Sequence, residues 1–250
     1  MIDPVNPSAP ISAWRVFRER VDSTSLEAKR LYNGAPLRVV AAEQTAGMGR
    51  LGRTWQSPRG GLWMSLATPL RAPVDRYAAA PLAAGLAVVE AVEAVCGLSA
   101  TIKWPNDVCV GDRKLAGILC QCEPGRDMLV VGIGINANFP ATALPEGLRR
   151  PPTSLLDERG APVDLEALEA MLVSRLDELL AACEQGFFAE RVLPGVQARL
   201  CWMGARVRST DGAGTVFGEG VITGIDENGA LLLATDEGTH ALAVGEITRT

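Results

Sequence analysis

The stretch from residue 107 to residue 139, DVCVGDRKLAGILCQCEPGRDMLVVGIGINANF, decides which fold the sequence favours. It contains three apolar runs of strand-like composition, VCV, KLAGILCQC and MLVVGIGINANF, which are separated only by short polar turns. Turns of this length are typical of hairpins, because a parallel neighbour requires a crossover of roughly a dozen or more residues. The sequence therefore predicts an antiparallel or mixed sheet in this part of the chain.

The segments before this stretch add strands and a long helix to the predicted sheet. LRVVAAE (37–43) and LWMSLAT (62–68) are short buried runs that favour strands. A helix is expected from about Pro81 to Cys96, with Gly97 as its stop, because apolar residues recur there at helical spacing. The chain therefore combines strands with helices that can flank them.

Two further helices carry clear terminal signals. The capping box formed by Thr24 and Glu27 predicts a helix that begins near residue 25. The amphipathic run VDLEALEAMLVSRLDELLAACEQG (163–186) predicts a second helix, capped by Asp164 and closed by Gly186.

Beyond residue 200 the texture of the sequence changes to short strands separated by turn signals such as Asn228-Gly229. About fifty residues of this kind are typical of a small barrel appended to a larger domain. We therefore expect an α/β domain over residues 1–198, with a mixed, largely antiparallel sheet and flanking helices, and a small β-barrel over residues 199–250.

The composition excludes several classes of protein. The formal net charge of −5 and the sequence pI near 5.1 argue against a large nucleic-acid-binding surface, which is normally basic. The N-terminal MIDPVNPSAP has no signal-peptide features, and the longest uncharged apolar run, YAAAPLAAGLAVV, is too short to span a bilayer. We therefore expect a cytoplasmic protein that binds neither nucleic acid nor a membrane.

The single histidine, His240, limits the chemistry that the chain can perform. It lies in the alternating, strand-like EGTHALAV near the C-terminus, which disfavours a Ser-His-Asp or Cys-His hydrolase. Six cysteines are scattered without C-x-x-C spacing, so reduced, buried thiols are favoured over a protein-held metal site.

Lysine is scarce in this chain, which makes its positions informative. There are twenty-one arginines but only three lysines, and two of the three, Lys103 and Lys114, stand in the segment TIKWPNDVCVGDRK. A chain that uses arginine for most of its positive charge keeps lysine where a compact point charge matters. Chance is the competing interpretation, and it suffices for Lys29 on a helix surface.

The stretch AGMGRLGRTW, residues 46–55, matches two nucleotide-binding patterns without fitting either. Gly47, Gly49 and Gly52 spell G-x-G-x-x-G. Arg53 stands where a phosphate-binding loop has lysine. Both patterns require a helix directly after the loop to hold the phosphates, and the proline and glycines of WQSPRGGLW prevent one.

The order of the motifs identifies a family. DSTS, EQTAGMGRLGRTW, KWPND, RKLAGIL and GIGIN follow one another in the order and approximate spacing of the biotin protein ligases, which the chain resembles over nearly its whole length. GVITGIDENGALLL and GEI match the C-terminal barrel of that family. The resemblance implies a class II synthetase-like ligase domain followed by an SH3-like barrel, and a glycine-arginine loop that folds over biotinyl-adenylate.

The activity implied by the resemblance has two steps. Biotin's carboxylate attacks the α-phosphorus of ATP to give biotinyl-5′-AMP and pyrophosphate, with Mg²⁺ on the phosphates. A lysine of a biotin carboxyl carrier protein domain then attacks the adenylate. The carboxylate is already ionised near neutral pH, so the first step needs fixed cations between two anions rather than a general base.

The site residues implied by the resemblance come from the matched motifs. Lys114 and Arg50 are the expected catalytic residues. Biotin is expected to contact Ser23, Thr24, Ser25, Gln44, Met48, Gly49, Arg50, Lys114, Gly117 and Gly132. ATP is expected to contact Arg50, Arg53, Trp55, Asn106, Asp107, Lys114 and Asn136, and no metal-ligating residue is assigned.

The sequence departs from the family at two of these positions. Met48 stands where the family loop usually has an arginine, and Ser25 where it often has asparagine. Few residues precede the motifs, so a ligase without the DNA-binding module of bifunctional relatives is expected. Two alternatives stay open, a lipoate or octanoate ligase of the same fold and a non-enzymatic biotin-binding regulator, and pairing into a homodimer is undecided.

Overall fold

The computed structural model describes residues 14–211 and 214–250. The strands of its larger sheet are β1 Arg15–Arg18, β2 Leu37–Ala41, β3 Leu62–Pro69, β4 Thr101–Lys103, β5 Asp107–Val110, β6 Arg113–Glu123 and β7 Met128–Ile135. They are arranged in the order β1-β2-β3-β7-β6-β5-β4. β1 pairs with β2 in parallel and the other described neighbours are antiparallel, which confirms the predicted mixed, largely antiparallel sheet.

Helices cover both faces of this sheet. They are α1 Thr24–Leu31, α2 Ala80–Cys96, α3 Leu155–Arg159, α4 Leu165–Glu184 and α5 Leu193–Ala198. α1 packs on β2, β3 and β7, whereas α2 packs against β6 and α4. Alternate strand residues divide accordingly, since Val130 belongs to the cluster under α1 and Val131 to the main core under α2.

The face of the sheet that α1 covers has a depression beyond the N-terminus of that helix. Met128 and Val130 fill this face at the start of β7, but the next two positions on the same face are Gly132 and Gly134. Ser65 of β3 stands directly opposite Gly132. Small side chains on neighbouring strands therefore leave a depression in the sheet.

α2 confirms the long helix that the sequence predicted, and Gly97 ends it with a φ of 65°. Together with the preceding turn it forms one segment, Val74–Cys96, that is long and apolar enough to cross a membrane by length and composition. This segment is longer than the uncharged run YAAAPLAAGLAVV, which was predicted to be too short to span a bilayer, because it also includes charged residues. Most of this segment is buried inside the protein, because α2 is the central helix of the main core. The N-terminal MIDPVNPSAP, on which the expected compartment also rested, lies outside the described residues.

The observed starts of α1 and α4 lie within one residue of the starts predicted from the sequence. The cap of α1 is Ser23, whose side chain accepts the Leu26 N–H, so the prediction that Thr24 caps this helix was wrong. The Thr24 hydroxyl bonds to Gln44 and to a neighbouring strand instead. Asp164 caps α4 as predicted.

The smaller sheet is entirely antiparallel. Its strands are β8 Arg206–Thr210, β9 Val216–Ile225, β10 Leu231–Thr235, β11 Gly238–Leu242 and β12 Glu246–Arg249, in the order β11-β10-β9-β8-β12. The two sheets are joined closely: the Trp104 indole N–H donates to the Gly229 carbonyl at 3.0 Å, and residues of both sheets share the main core. The smaller sheet is therefore in a position to contribute to a site on the larger one.

Candidate active site

One cavity crosses the larger sheet on the α1 face. Its floor and walls come from successive strands, with Ser65 on β3, Gly132 on β7, Lys114 on β6, Asp107 on β5 and Lys103 on β4. All fifteen residues that the sequence predicted for the site line this cavity, from Ser23 to Asn136. The structure thus brings them together, while the role of each stays a prediction.

The end of the cavity next to α1 is lined by hydroxyl groups that bond to one another. Thr24 Oγ1 lies 2.7 Å from Ser65 Oγ, and Ser25 Oγ lies 2.9 Å from the same atom. Gln44 Oε1 accepts the Thr24 backbone N–H at 2.7 Å, and Gln44 Nε2 donates to Ser57 Oγ at 2.7 Å. This end of the cavity is polar but carries no charge among these five side chains.

Ser65 is the centre of this network, and sequence reasoning missed it. The side chain is fully buried and bonds to both Thr24 and Ser25. The only available signal was a serine inside the buried run LWMSLAT, which does not show what the hydroxyl faces. Gly132 keeps the space beside it open, because a Cβ there would lie 2.8 Å from Ser25 Oγ.

The glycine-arginine loop, residues 46–55, folds back on itself at the edge of the cavity. The Trp55 N–H donates to the Gly47 carbonyl at 2.8 Å, and the Gly49 N–H donates to the Arg53 carbonyl at 2.7 Å. The loop is therefore a hydrogen-bonded hairpin and does not lead into a helix, in agreement with the rejection of both nucleotide-binding patterns.

The two arginines of the loop point to different parts of the site. Arg50 Nη1 donates to Asn106 Oδ1 at 2.8 Å, and burial lowers the pKa of the Arg50 guanidinium. Arg53 forms an ion pair with Glu246 of β12, so the smaller sheet holds the loop. Met48 also lines the cavity, but it brings no charge.

Lys114, Asp107 and Trp55 meet in the middle of the cavity. Lys114 Nζ lies 2.6 Å from Asp107 Oδ1 and 5.1 Å from the centroid of the Trp55 ring. Trp55 lies over two glycines: a Cβ on Gly117 would be 2.9 Å from its ring, and one on Gly134 would collide with its indole nitrogen. Gly117, which was predicted to contact biotin, thus makes room for Trp55 and the Lys114 side chain.

Two buried polar atoms at this point have no hydrogen-bond partner within the described chain, Trp55 Nε1 and Asn136 Oδ1. The amide of Asn136 is fixed, because its Nδ2 donates to the Thr153 carbonyl at 2.9 Å. Asn106 is fixed similarly, by donation from Nδ2 to the Ile118 carbonyl at 2.8 Å. Buried polar atoms are nearly always paired, so unpaired ones in a cavity mark points where a ligand can bind.

The remainder of the cavity is cationic. Its described lining contains six basic and two acidic side chains, which are Arg50, Arg53, Lys103, Lys114, Arg149, Arg150, Asp107 and Glu246. The surplus of positive charge contrasts with the net charge of −5 of the whole chain, and it suits the cavity to anions. Sequence reasoning had not assigned Lys103, Arg149, Arg150 or Glu246, although KWPND and GEI contain the first and the last of them.

A magnesium ion fits this lining only together with a nucleotide. The described residues contain no group of three or more histidine, cysteine, aspartate or glutamate side chains that could hold a metal. The two carboxylates of the cavity, Asp107 and Glu246, each form ion pairs with basic residues. Mg²⁺ is usually bound by one or two carboxylates together with waters and substrate phosphates, which agrees with this lining.

Family models match both parts of the chain. Residues 17–138 match the biotin/lipoate A/B protein ligase family, and residues 203–248 match the biotin protein ligase C terminal domain. The bifunctional ligase/repressor BirA of Bacillus spizizenii is 32% identical over 245 residues, which cover 93% of this chain and 73% of the relative. The biotin–[acetyl-CoA-carboxylase] ligase of Paracoccus denitrificans is 35% identical over 238 residues, which cover 91% of this chain and 97% of the relative.

A solved structure shows the same architecture. The biotin protein ligase from Aquifex aeolicus in complex with biotin and ATP superposes with a TM-score of 0.82 at 29% identity, and the match covers 95% of this chain and 100% of that one. That relative was solved with both biotin and ATP bound.

Proposed function

The chain belongs to the biotin protein ligase family, and from this premise we propose how its cavity carries out the reaction. The enzyme is a biotin–[acetyl-CoA-carboxylase] ligase that acts through biotinyl-AMP. The observation that carries the proposal is one cavity that joins an uncharged, hydroxyl-lined end to a cationic end, with Lys114 between them.

Biotin's ureido ring binds at the hydroxyl end. The ring is neutral and has both donors and acceptors, and the hydroxyls of Thr24, Ser25 and Ser65 can act as either. A ring without polar groups would form no hydrogen bonds with these hydroxyls, whereas a ureido ring forms them at a net gain of about 0.5–1.5 kcal/mol each. The network therefore favours biotin over lipoate, whose ring carries only sulfur and carbon.

Adenylation takes place beside Lys114. Biotin's carboxylate oxygen forms a bond to the α-phosphorus of ATP, the bond between the α-phosphorus and the bridging oxygen breaks, and pyrophosphate leaves. Lys114 and Arg50 lie at this junction as fixed cations that reduce the repulsion between the two anions. Asp107 holds the Lys114 ammonium in place at 2.6 Å.

The nucleotide occupies the cationic end. We assign its base and ribose to the fixed amides of Asn106 and Asn136 and to Trp55, because Asn136 Oδ1 and Trp55 Nε1 are buried without a partner in the described chain. Asp107 or Glu246 would supply the protein's carboxylate to a Mg²⁺ ion bound on the phosphates, and that ion would neutralise part of their charge.

Transfer completes the reaction. The amine of a lysine on a biotin carboxyl carrier protein domain attacks the carbonyl carbon of the adenylate, an amide forms and AMP leaves. The smaller sheet takes part through Glu246, whose ion pairs with Arg53 and Arg149 link it to the loop and the cavity wall. The two separate sheets and the two matched ranges, 17–138 and 203–248, support a division into a ligase domain over residues 1–198 and an accessory barrel over residues 199–250.

The cellular setting is also proposed from the residues. All six cysteines are free thiols, which suits a reducing compartment such as the cytoplasm. If a homodimer forms, β1 is its expected contact strand, because it lies at one edge of the described seven-stranded sheet. The acidic balance of the chain supports a ligase without nucleic-acid binding.

The experiment is biotin-dependent exchange of labelled pyrophosphate into ATP, because only reversible adenylation produces it. We expect exchange with biotin and none above background with lipoate or octanoate. Equal exchange with lipoate would contradict the assignment of the hydroxyl end. Binding of biotin without any exchange would instead support the alternative of a non-enzymatic biotin-binding regulator.

A further inference from the structure

Four exposed apolar side chains lie near the edge of the cavity where the glycine-arginine loop meets the smaller sheet. They are Leu51, Val216, Phe217 and Val244, and we call them the mouth patch. Val244, at 65% exposure, and Leu51, at 61%, are the most exposed large apolar side chains in the described part of the chain. None of the four belongs to the described lining of the cavity, so the patch faces a partner outside it.

The ion pair between Arg53 and Glu246 brings the two sides of the mouth patch together. Leu51 lies two residues before Arg53 on the loop, and Val244 lies two residues before Glu246, just ahead of β12. Arg53 and Glu246 both line the cavity. The loop side and the barrel side of the patch therefore meet at the edge of the cavity.

Phe217 and Val216 extend the patch along β9. Val216 begins this strand, and Phe217 lies against the turn that precedes β12, since a Cβ on Gly245 would be 3.6 Å from Phe217 Cδ2. Gly245 stands between Val244 and Glu246 in the chain. The apolar surface of the barrel thus continues from β9 to the cavity edge.

Leu51 is exposed at the tip of the loop in a conformation that leucine rarely adopts. Its φ is 58° and its ψ is 35°, in the left-handed region that is unfavourable for a residue with a Cβ. An exposed leucine offsets none of this strain by burial in the free protein. Strained residues concentrate at functional sites, so the conformation indicates that Leu51 has a contact to make during function.

The borders of the mouth patch are positively charged. Two carboxylates lie there, and each is shared by two arginines: Glu246 by Arg53 and Arg149, and Glu219 by Arg206 and Arg208. Two positive charges and one negative charge leave one positive charge in each group. An apolar surface with such borders suits a partner whose own apolar contact surface is bordered by carboxylates.

We propose that the mouth patch is the surface on which the carrier domain docks while its lysine receives biotin. The cavity has a volume of about 220 Å³, which admits a lysine side chain but not a folded domain. The domain must therefore rest at the cavity edge while its amine reaches the adenylate beside Lys114. The inference rests on the proposed function, and it adds the chemistry of the partner surface, which is apolar next to the acceptor lysine and acidic around it.

The test measures adenylation and transfer separately. Pyrophosphate exchange reports adenylation, and labelled biotin on the biotin-free carrier domain of acetyl-CoA carboxylase reports transfer. Phe217→Ser should raise the KM for the carrier by about tenfold, the scale for truncating an aromatic residue at an interface. Val244→Ser should raise it by about threefold, because a smaller side chain buries less apolar area. Exchange should stay unchanged in both variants.

Leu51→Asn tests the loop side of the patch. Asparagine tolerates the left-handed conformation, so the variant keeps the shape of the loop and loses only the apolar contact. The carrier KM should rise by about fivefold with unchanged exchange, since Leu51 does not line the cavity. Hydroxylamine should capture biotin from the adenylate at the wild-type rate, because so small an amine needs no docking.

Glu219→Gln tests the sign of the charge on the partner surface. The substitution removes a carboxylate and leaves Arg206 and Arg208 in place. With an acidic partner the carrier KM should fall by about two- to threefold at low salt, and the difference should disappear at high salt. A rise in KM would contradict the proposed partner. This variant also probes the patch without removing any apolar side chain.

Two matched controls replace exposed apolar side chains on the other side of the sheet. Phe187 follows α4 and Val74 precedes α2, and these helices pack on the face opposite the cavity. Phe187→Ser and Val74→Ser should change neither exchange nor the carrier KM. All patch variants alter exposed residues, so their unfolding temperatures should stay close to that of wild type.

Three results would overturn the inference. The first is an unchanged carrier KM in both Phe217→Ser and Leu51→Asn while exchange is normal. The second is an equal loss of transfer to hydroxylamine and to the carrier, which would indicate damage to the cavity. The third is a change in oligomeric state in sedimentation without a change in carrier KM, which would assign the patch to a second copy of the chain. A wild type without pyrophosphate exchange would reject the proposed function instead.

Discussion

The two ends of the cavity differ in whether their buried polar groups already have partners within the protein. At the α1 end, the hydroxyls of Thr24, Ser25 and Ser65 already bond to one another in the free protein. At the β4 end, Lys103 and Arg150 have no carboxylate partner within the described residues. A neutral ligand must exchange bonds at the first end for a small net gain, whereas an anion gains the attraction of unpaired charges at the second. The first end is therefore built for selectivity and the second for electrostatic stabilisation.

The largest loss of adenylation rate is expected from a substitution of Lys114, which lies where the two ends of the cavity meet. Lys114→Ala should slow adenylation by at least about a hundredfold, the scale for losing one preorganised electrostatic stabiliser, while biotin binding stays measurable. Pyrophosphate exchange by the folded variant is the measurement, and Lys29→Ala is the matched lysine control. Near-normal exchange in Lys114→Ala would show that the junction does not depend on this cation.

Arg50 tests whether the loop retains the intermediate that the two ends produce together. Because the adenylate is reactive and depends on contacts to its phosphate, Arg50→Gly should consume ATP with biotin but release biotinyl-AMP. We expect roughly tenfold more label on lysines of an unrelated protein than with wild type, as the loss of one charge-assisted contact of about 1.4 kcal/mol implies. Met48→Arg should reduce any release by the wild type.

The matched control for Arg50 is Arg59→Gly, since Arg59 is exposed and pairs with Glu19 away from the cavity. If Arg50→Gly forms adenylate at a normal rate and labels bystander proteins no more than wild type does, Arg50 has no retaining role.

A substitution at the hydroxyl end is expected to have a smaller effect, a loss of affinity for biotin alone. Ser65→Ala removes the hydroxyl that bonds to both Thr24 and Ser25, and it should raise the biotin dissociation constant by about tenfold. Thr68→Val is the control on the same strand, because the Thr68 hydroxyl is buried and has no partner in the described chain. Equal losses in the two variants would point to general damage to β3.

The smallest change in ligand binding is expected from a comparison of Trp55 and Trp63. These two rings pack edge to face with their centroids 6.4 Å apart. The Trp63 N–H donates to the Pro58 carbonyl at 2.9 Å, whereas the Trp55 N–H is buried without a partner in the described chain. Trp55→Phe should therefore weaken adenylate binding by about threefold to tenfold and leave stability unchanged, while Trp63→Phe should mainly lower stability. The reverse pattern would remove Trp55 from the ligand site.

The sequence predicts those features of the fold that depend on residues close to one another along the chain. The hairpins of β5, β6 and β7 follow from short polar turns, and α4 follows from Asp164 and its apolar spacing. The start of α1 was misplaced by one residue, because Ser23 and Thr24 are both good caps and only Gln44 and Ser65 decide between them. β1 and β4 are too short for an alternation of apolar and polar residues to be visible in the sequence.

Contacts between distant residues were beyond the reach of the sequence. The scarcity of lysine singled out Lys103, but its position beside the Trp202 ring, which it shares with Arg150, depends on residues that lie far along the chain. Glu246 stands 193 residues after Arg53, with which it pairs. Local patterns carry no information about which charges a fold leaves unpaired, and that property distinguishes the two ends of the cavity.

The separation of the two ends is tested most directly by one calorimetric comparison of Ser65→Ala and Lys103→Met, each titrated with biotin and, separately, with ATP. The account predicts that Ser65→Ala weakens biotin by about tenfold and leaves ATP unchanged, and that Lys103→Met weakens ATP by about thirtyfold and leaves biotin unchanged. If each variant weakened both ligands to the same extent, the cavity would act as a single undivided site, and the account would be contradicted.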